Sequence, residues 1–150
     1  MEKFRFKFQS VLQVRKVKEE EALRLLSIAQ GFYQSEIRNK SFLISELTSA
    51  FKMRDILISK SNFGADFSIE NSYITGTKHR IKLSDQSILN ASRKVEKALR
   101  NYLVLKKKTH AMEILRENSY AEYRKIRSKE EQKESDDINV MRSRLKEWYF

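Results

Sequence analysis

From Ile81 to Arg144 the chain contains neither glycine nor proline, and through the first half of that run small or apolar residues recur at alternating steps of three and four. A run with no breaker and that spacing folds as one very long helix, because steps of three and four line a single helical face. The positions are Ile81, Ser84, Ile88, Ala91, Val95, Ala98, Tyr102, Leu105, Thr109 and Met112, the seam one helix offers to another lying alongside. Beyond them the spacing persists, but it is filled by Arg116, Ser119, Glu130, Lys133 and Asp137. The same helix stops needing a seam partner partway along.

The remainder of the 150 residues fits an all-helical chain, with no proline, three glycines and 34% charged residues. A compact bundle needs several short turns, whereas one convincing turn is found, so the expectation is a single coiled-coil domain over 1–150. The absence of cysteine removes disulfides and thiolate metal sites. No stretch approaches eighteen consecutive apolar residues, and the opening Phe4-Arg5-Phe6-Lys7-Phe8 alternates charge with phenylalanine where a signal peptide needs an unbroken apolar run. A soluble cytoplasmic protein is expected.

The formal net charge of +11 raises nucleic acid as a partner, so its distribution matters. Basic minus acidic residues come to 12 − 7 over 1–60, 10 − 4 over 61–110 and 9 − 9 over 111–150. The excess is spread out, and Lys106-Lys107-Lys108 lacks the aromatic and glycine pattern of an RNA-binding sheet. The charge reads as a solvated face suited to acidic proteins; no nucleic acid is expected.

Ser10 with Gln13 has the form of a capping box, so a first helix is expected over about 8–58. Its apolar-leaning positions are read as Val11, Arg15, Lys18, Ala22, Leu25, Ala29, Tyr33, Ile37, Lys40, Ile44, Leu47, Phe51, Arg54 and Ile58, close to the 3.6 period of a straight helix. Ser59 to Asp66 is rich in serine, asparagine and glycine and forms the turn, with a second helix over about 67–146. Gly31 and Gly76 fall inside the two helices as soft points. With the reversal near residue 63, antiparallel partners have numbers summing to about 126, so the first helix runs out where the second reaches Tyr120. The expected fold is all-α, a long antiparallel two-helix coiled-coil hairpin with a C-terminal helical overhang of some thirty residues, roughly 45 Å.

Near the turn, Phe42, Met53 and Ile56 fall on the side of the first helix away from its partner, where they are expected to form a separate docking stripe. No catalytic constellation has usable spacing: there is no phosphate-cradling glycine loop and no nucleophile elbow, and His79 and His110 are 31 residues apart. The acids between Glu130 and Asp137 lack the turn and glycine of a calcium loop. A binding or structural protein with no cofactor and no metal is expected, not an enzyme.

Phe4-Arg5-Phe6-Lys7-Phe8-Gln9-Ser10-Val11-Leu12-Gln13-Val14-Arg15-Lys16, the run Glu19-Glu20-Glu21-Ala22, Tyr73-Ile74-Thr75-Gly76-Thr77 with Arg80-Ile81, and Glu130-Gln132-Lys133-Asp136-Asp137 resemble the FliJ family of the flagellar type III export apparatus. The resemblance covers nearly the whole chain. It implies a hairpin similar to the central stalk subunit of rotary ATPases, seated in the pore of the hexameric export ATPase, promoting ring assembly, contacting the membrane export gate and cycling export chaperones. It also implies peripheral association with the inner face of the cell membrane. Carried onto matching positions, the ATPase-facing residues are Phe8, Leu12 and Arg15 with Glu130, Gln132, Lys133 and Asp137. The gate contact is expected toward the turn, at Phe42, Met53, Ile56 and Tyr73. Departures are Thr77, where many relatives carry leucine, and the terminal Trp148-Tyr149-Phe150. Two rival readings stand beside this one: a stalk subunit of another ring ATPase, and a basic nucleic-acid-associated coiled coil, whose binding would fall steeply with salt.

Overall fold

The computed structural model describes residues 2–60 and 64–149. Two helices, α1 (Gln9–Ser59) and α2 (Ala65–Tyr149), make up nearly all of the described chain and pack as an antiparallel coiled-coil hairpin. The expected turn centre lies outside the described residues, as do Ser61, Asn62, Phe63, Met1 and Phe150. Two of the leading amides of α1 are satisfied by the backbone: Gln9 donates to the Phe6 carbonyl at 3.2 Å and Leu12 to the Phe8 carbonyl at 3.0 Å. Ser10 is therefore the second residue of the helix and not its cap. At the other start, the Gly64 carbonyl accepts from Ser68 at 3.3 Å, and Asp66 in the first turn of α2 complements the positive helix end.

The seam of α2 is the one its sequence spells. All ten positions from Ile81 to Met112 are buried or half-buried; the same alternation reaches back to Ile74 and Thr77 and, past the exposed Arg116, resumes at Ser119 and Tyr123. Thr77 and Thr109 can be buried because each hydroxyl donates to the carbonyl four residues earlier, Tyr73 at 2.8 Å and Leu105 at 3.1 Å.

In α1 the structure corrects the expected face. The inward positions run Leu12, Arg15, Glu19, Ala22, Leu26, Ala29, Tyr33, Glu36, Lys40, Leu43, Leu47, Ala50, Arg54 and Leu57, a strict alternation of three and four. Val11, Lys18, Leu25, Ile37, Ile44 and Ile58 are exposed. The reason is geometric: two long helices keep one seam in register only at 3.5 residues per turn, and a 3.6 stripe slides off it by about 20° per heptad.

The chain divides into two packed units, residues 20–104 and residues 1–19 with 105–150. Within 20–104 the buried apolar residues are Ala22, Leu26, Ala50, Ile74 and Ala91, mostly small. Long side chains at the seam bridge outward, as in the Lys40–Asp85 ion pair at 2.6 Å and the Arg54 guanidinium 5.1 Å from the Phe51 ring. Both helices run through their glycines unbroken; a Cβ added at Gly31 or Gly76 meets nothing within 4 Å. Gly31→Ala and Gly76→Ala should therefore each stabilise the chain by about 0.5–1 kcal/mol, read as a higher urea midpoint at unchanged slope.

In the other unit, Leu12, Thr109 and Met112 form the buried centre, and residues 2–8 form a non-helical strap against α2. The Phe4 ring meets Tyr120 edge-on at 5.2 Å and Tyr123 at 5.5 Å, while the Tyr123 hydroxyl donates to the Glu2 carbonyl at 2.9 Å. The strap thus covers the last seam position. From residue 124 to 149 every residue of α2 is exposed, an overhang of 26 residues or roughly 39 Å.

Candidate docking surfaces

The strap end of the unit formed by 1–19 and 105–150 holds the first group of expected contact residues. Phe8 is 41% exposed, its ring edge-on to Phe6 at 6.0 Å, with the Lys7 ammonium 5.8 Å away. Arg15 is half-buried and donates to the Lys108 carbonyl at 3.0 Å. Leu12 is fully buried, so it positions the start of α1 and presents no surface of its own. Beside them Phe4, Lys16, Glu113, Arg116, Glu117 and Tyr120 line a groove of about 380 Å³. Lys16 and Glu113 stand 3.9 Å apart in it.

The second group, Glu130, Gln132, Lys133 and Asp137, lies on the overhang, and all four are exposed. Charge there comes in blocks: Arg124, Lys125, Arg127 and Lys129, then five acids between Glu130 and Asp137, then Arg142, Arg144 and Lys146. Arg127 and Glu131 pair across one helical turn at 2.9 Å, and this hydrogen bond holds the guanidinium proton more tightly. Sequence reasoning missed an apolar line on the same arm. Ile138, Met141, Leu145 and Trp148, 51%, 66%, 58% and 87% exposed, follow one another at three, four and three. They lie one residue out of phase with the seam, about 100° around the helix, which is why following the seam alone passes over them.

The third group lies in 20–104. Phe42, Met53, Ile56 and Tyr73 are all exposed. The Tyr73 hydroxyl donates to the Glu46 carboxylate at 3.0 Å. Met53 and Tyr73 line one groove of about 390 Å³ together with Glu46 and Glu70. Phe42 and Ile56 share the face of Met53 by their heptad positions and lie outside that groove lining. Among the described residues no group of three or more His, Cys, Asp or Glu side chains could hold a metal ion, and no helix is long and apolar enough to cross a membrane.

No curated protein matches the chain by sequence. A solved structure described as a YscO homologue from Chlamydia trachomatis has a similar fold, with a TM-score of 0.66 at 16% identity over 95% of this chain and 97% of that one. The family model described as flagellar FliJ protein matches residues 4–147, from the strap through both seams and along the arm almost to its end. With that coverage the chain belongs to the flagellar FliJ protein family.

Proposed function

We propose that this protein is a non-enzymatic component of the flagellar type III export apparatus, acting as a stalk. Its overhanging arm, with the adjoining strap, seats in the central pore of the hexameric export ATPase and promotes ring assembly. The turn-proximal surface couples the ring to the export gate, and the hairpin serves export chaperones, at the inner face of the cell membrane.

The observation that carries this reading is the arm: residues 124–149 of α2 are helical and wholly exposed in a chain of this family. A helix that buries nothing in its own fold needs another reason to persist, since about thirty unpaired residues are marginal in water. Alternating charge blocks suit a shaft turning among changing partners, because no single register is strongly held. On this reading Phe8, Arg15, Glu130, Gln132, Lys133 and Asp137 face the ring, with Leu12 holding the strap end in place. Phe42, Met53, Ile56 and Tyr73 face the gate.

Photo-crosslinkers at Lys133 and at Met53 test both ends in cells. Lys133 should capture the export ATPase and Met53 the gate membrane protein. Capture of the ATPase alone from Met53 would remove the gate assignment, and no ATPase from Lys133 would remove the seat.

A further inference from the structure

We infer that within residues 20–104 the exposed face of α1 is the berth of a third helix, supplied by an acidic amphipathic segment of a protein partner. The inference rests on the reading of Phe42, Met53 and Ile56 as a docking surface and names the chemistry of what docks there.

Phe42, Met53 and Ile56 are not a local patch. Every seam position of α1 from 26 to 57 has a neighbour one residue earlier, and those neighbours make a second series at steps of three and four from 25 to 56. Six of its ten positions are large and apolar: Leu25, Ile28, Phe32, Phe42, Met53 and Ile56, between 47% and 63% exposed. The line spans 32 residues of helix, a rise of roughly 46 Å. This spacing matches the knobs of another helix and serves neither a strand nor an extended peptide.

Two contacts fix which side of α2 borders this line. The Lys94 ammonium stands 5.9 Å from the Phe32 ring, and the Tyr73 hydroxyl bonds Glu46, itself a position of the series. The line is therefore one wall of a groove, whose other wall is the row of α2 spaced by sevens from Tyr73 to Asn101. Between Tyr73 and Asn101 that row carries Arg80 and Lys94 and no acid; toward the turn Asp66 stands one heptad before Tyr73, and Glu46 and Glu70 line the groove beside Met53, so the cationic wall faces the stretch from Leu25 to Phe42. On the outer flank of α1 the matching row, from Arg24 to Lys52, carries Arg24, Arg38 and Lys52 and no acid. All five cations are exposed, and none forms an ion pair with another described residue.

An apolar line with cations on both flanks selects a helix with acids flanking its apolar stripe. A second copy of this chain fits poorly. It would lay the same rows of Arg24, Arg38 and Lys52 against themselves, in a chain already at +11. An anionic membrane surface would also meet apolar residues between cations, but Glu46, Asn39 and Ser35 lie in the line and would have to enter the acyl region with it.

The test uses the full chain and a labelled four-heptad peptide with leucine at the core positions and glutamate at both flanks, read by fluorescence anisotropy. The flanking glutamates keep the peptide from pairing with itself. The acidic peptide should bind saturably, and the same peptide with lysine flanks at least tenfold more weakly. Phe32→Ser with Phe42→Ser should cut binding tenfold or more with circular dichroism unchanged. Arg24→Glu with Arg38→Glu and Lys94→Glu should reverse the preference between the two peptides. The inference falls if both peptides bind alike, if neither set of substitutions matters, if the chain self-associates through Phe32 and Phe42, or if phosphatidylserine vesicles bind that face while the acidic peptide does not. It is separable from the gate assignment: peptide binding without gate capture at Met53 removes the gate, and gate capture without peptide binding removes the acidic helix.

Discussion

A chain ended at Tyr123 should lose capture of the export ATPase altogether while unfolding at the same urea midpoint as the full chain. The two outcomes separate because residues 124–149 are exposed throughout, so removing them uncovers no apolar seam, and changes outside cores and caps usually stay within about 0.5 kcal/mol. Helical signal should fall by 26 of the 136 helical residues, about a fifth, from 51 in α1 and 85 in α2. If the shortened chain holds the ATPase as tightly as the full one, the seat is the strap end around Phe8 and Arg15 and the arm has another purpose. Should the shortened chain instead unfold several-fold more easily, the arm belongs to the fold. A second variant refines the positive result: Met141→Ser with Leu145→Ser keeps the arm's charge blocks and removes the middle of its apolar line. Loss of capture with that pair assigns the grip to the apolar line, and retention assigns it to the charges between Glu130 and Asp137.

The seam of α2 can be read directly from the sequence because its phase never wavers from Ile74 to Met112, even where exposed apolar neighbours such as Leu83, Leu89, Leu99 and Val104 stand beside it. In α1 the face is ambiguous for a physical reason. Apolar residues come as doublets, Val11-Leu12, Leu25-Leu26, Phe42-Leu43 and Ile56-Leu57, and each doublet gives one member to the seam and one to the exposed line. The stripe started at Val11 takes the exposed line at Val11, Lys18 and Leu25, the seam at Arg15, Ala22, Ala29 and Tyr33, and the far side at Ile37, Ile44 and Ile58. Demanding one phase against the partner over the whole helix would have sorted the doublets, since only the 3.5 period permits it. The strap could not be read this way. Its phenylalanines have no helical period, and its docking rests on Phe4 finding two tyrosines, Tyr120 and Tyr123, more than a hundred residues later. Thr77, which looks misplaced as a departure from leucine, is at home in the seam once its hydroxyl is bonded to the Tyr73 carbonyl.

One pair of adjacent leucines tests the two faces of α1 against each other. Leu26 is 6% exposed and Leu25 is 48% exposed, so the same truncation has opposite meanings one residue apart. Leu26→Ala removes methyl groups from a seam whose other buried apolar residues in 20–104 are Ile74 and three alanines, and it should cost about 2–5 kcal/mol in urea unfolding. A two-helix seam has few other contacts to absorb that loss, so the variant should be largely unfolded in warm buffer. Leu25→Ala should change stability by less than about 1 kcal/mol, because half of the side chain is already in water and alanine is the better helix former. What Leu25→Ala should lose is the acidic helix: severalfold weaker binding of the glutamate-flanked peptide, with the fold intact. Equal costs at the two positions would return the helix to a 3.6 stripe and make the doublets accidental. A cost confined to Leu26, joined to a binding loss confined to Leu25, means that α1 carries one seam for its own partner within the chain and another for a partner outside it.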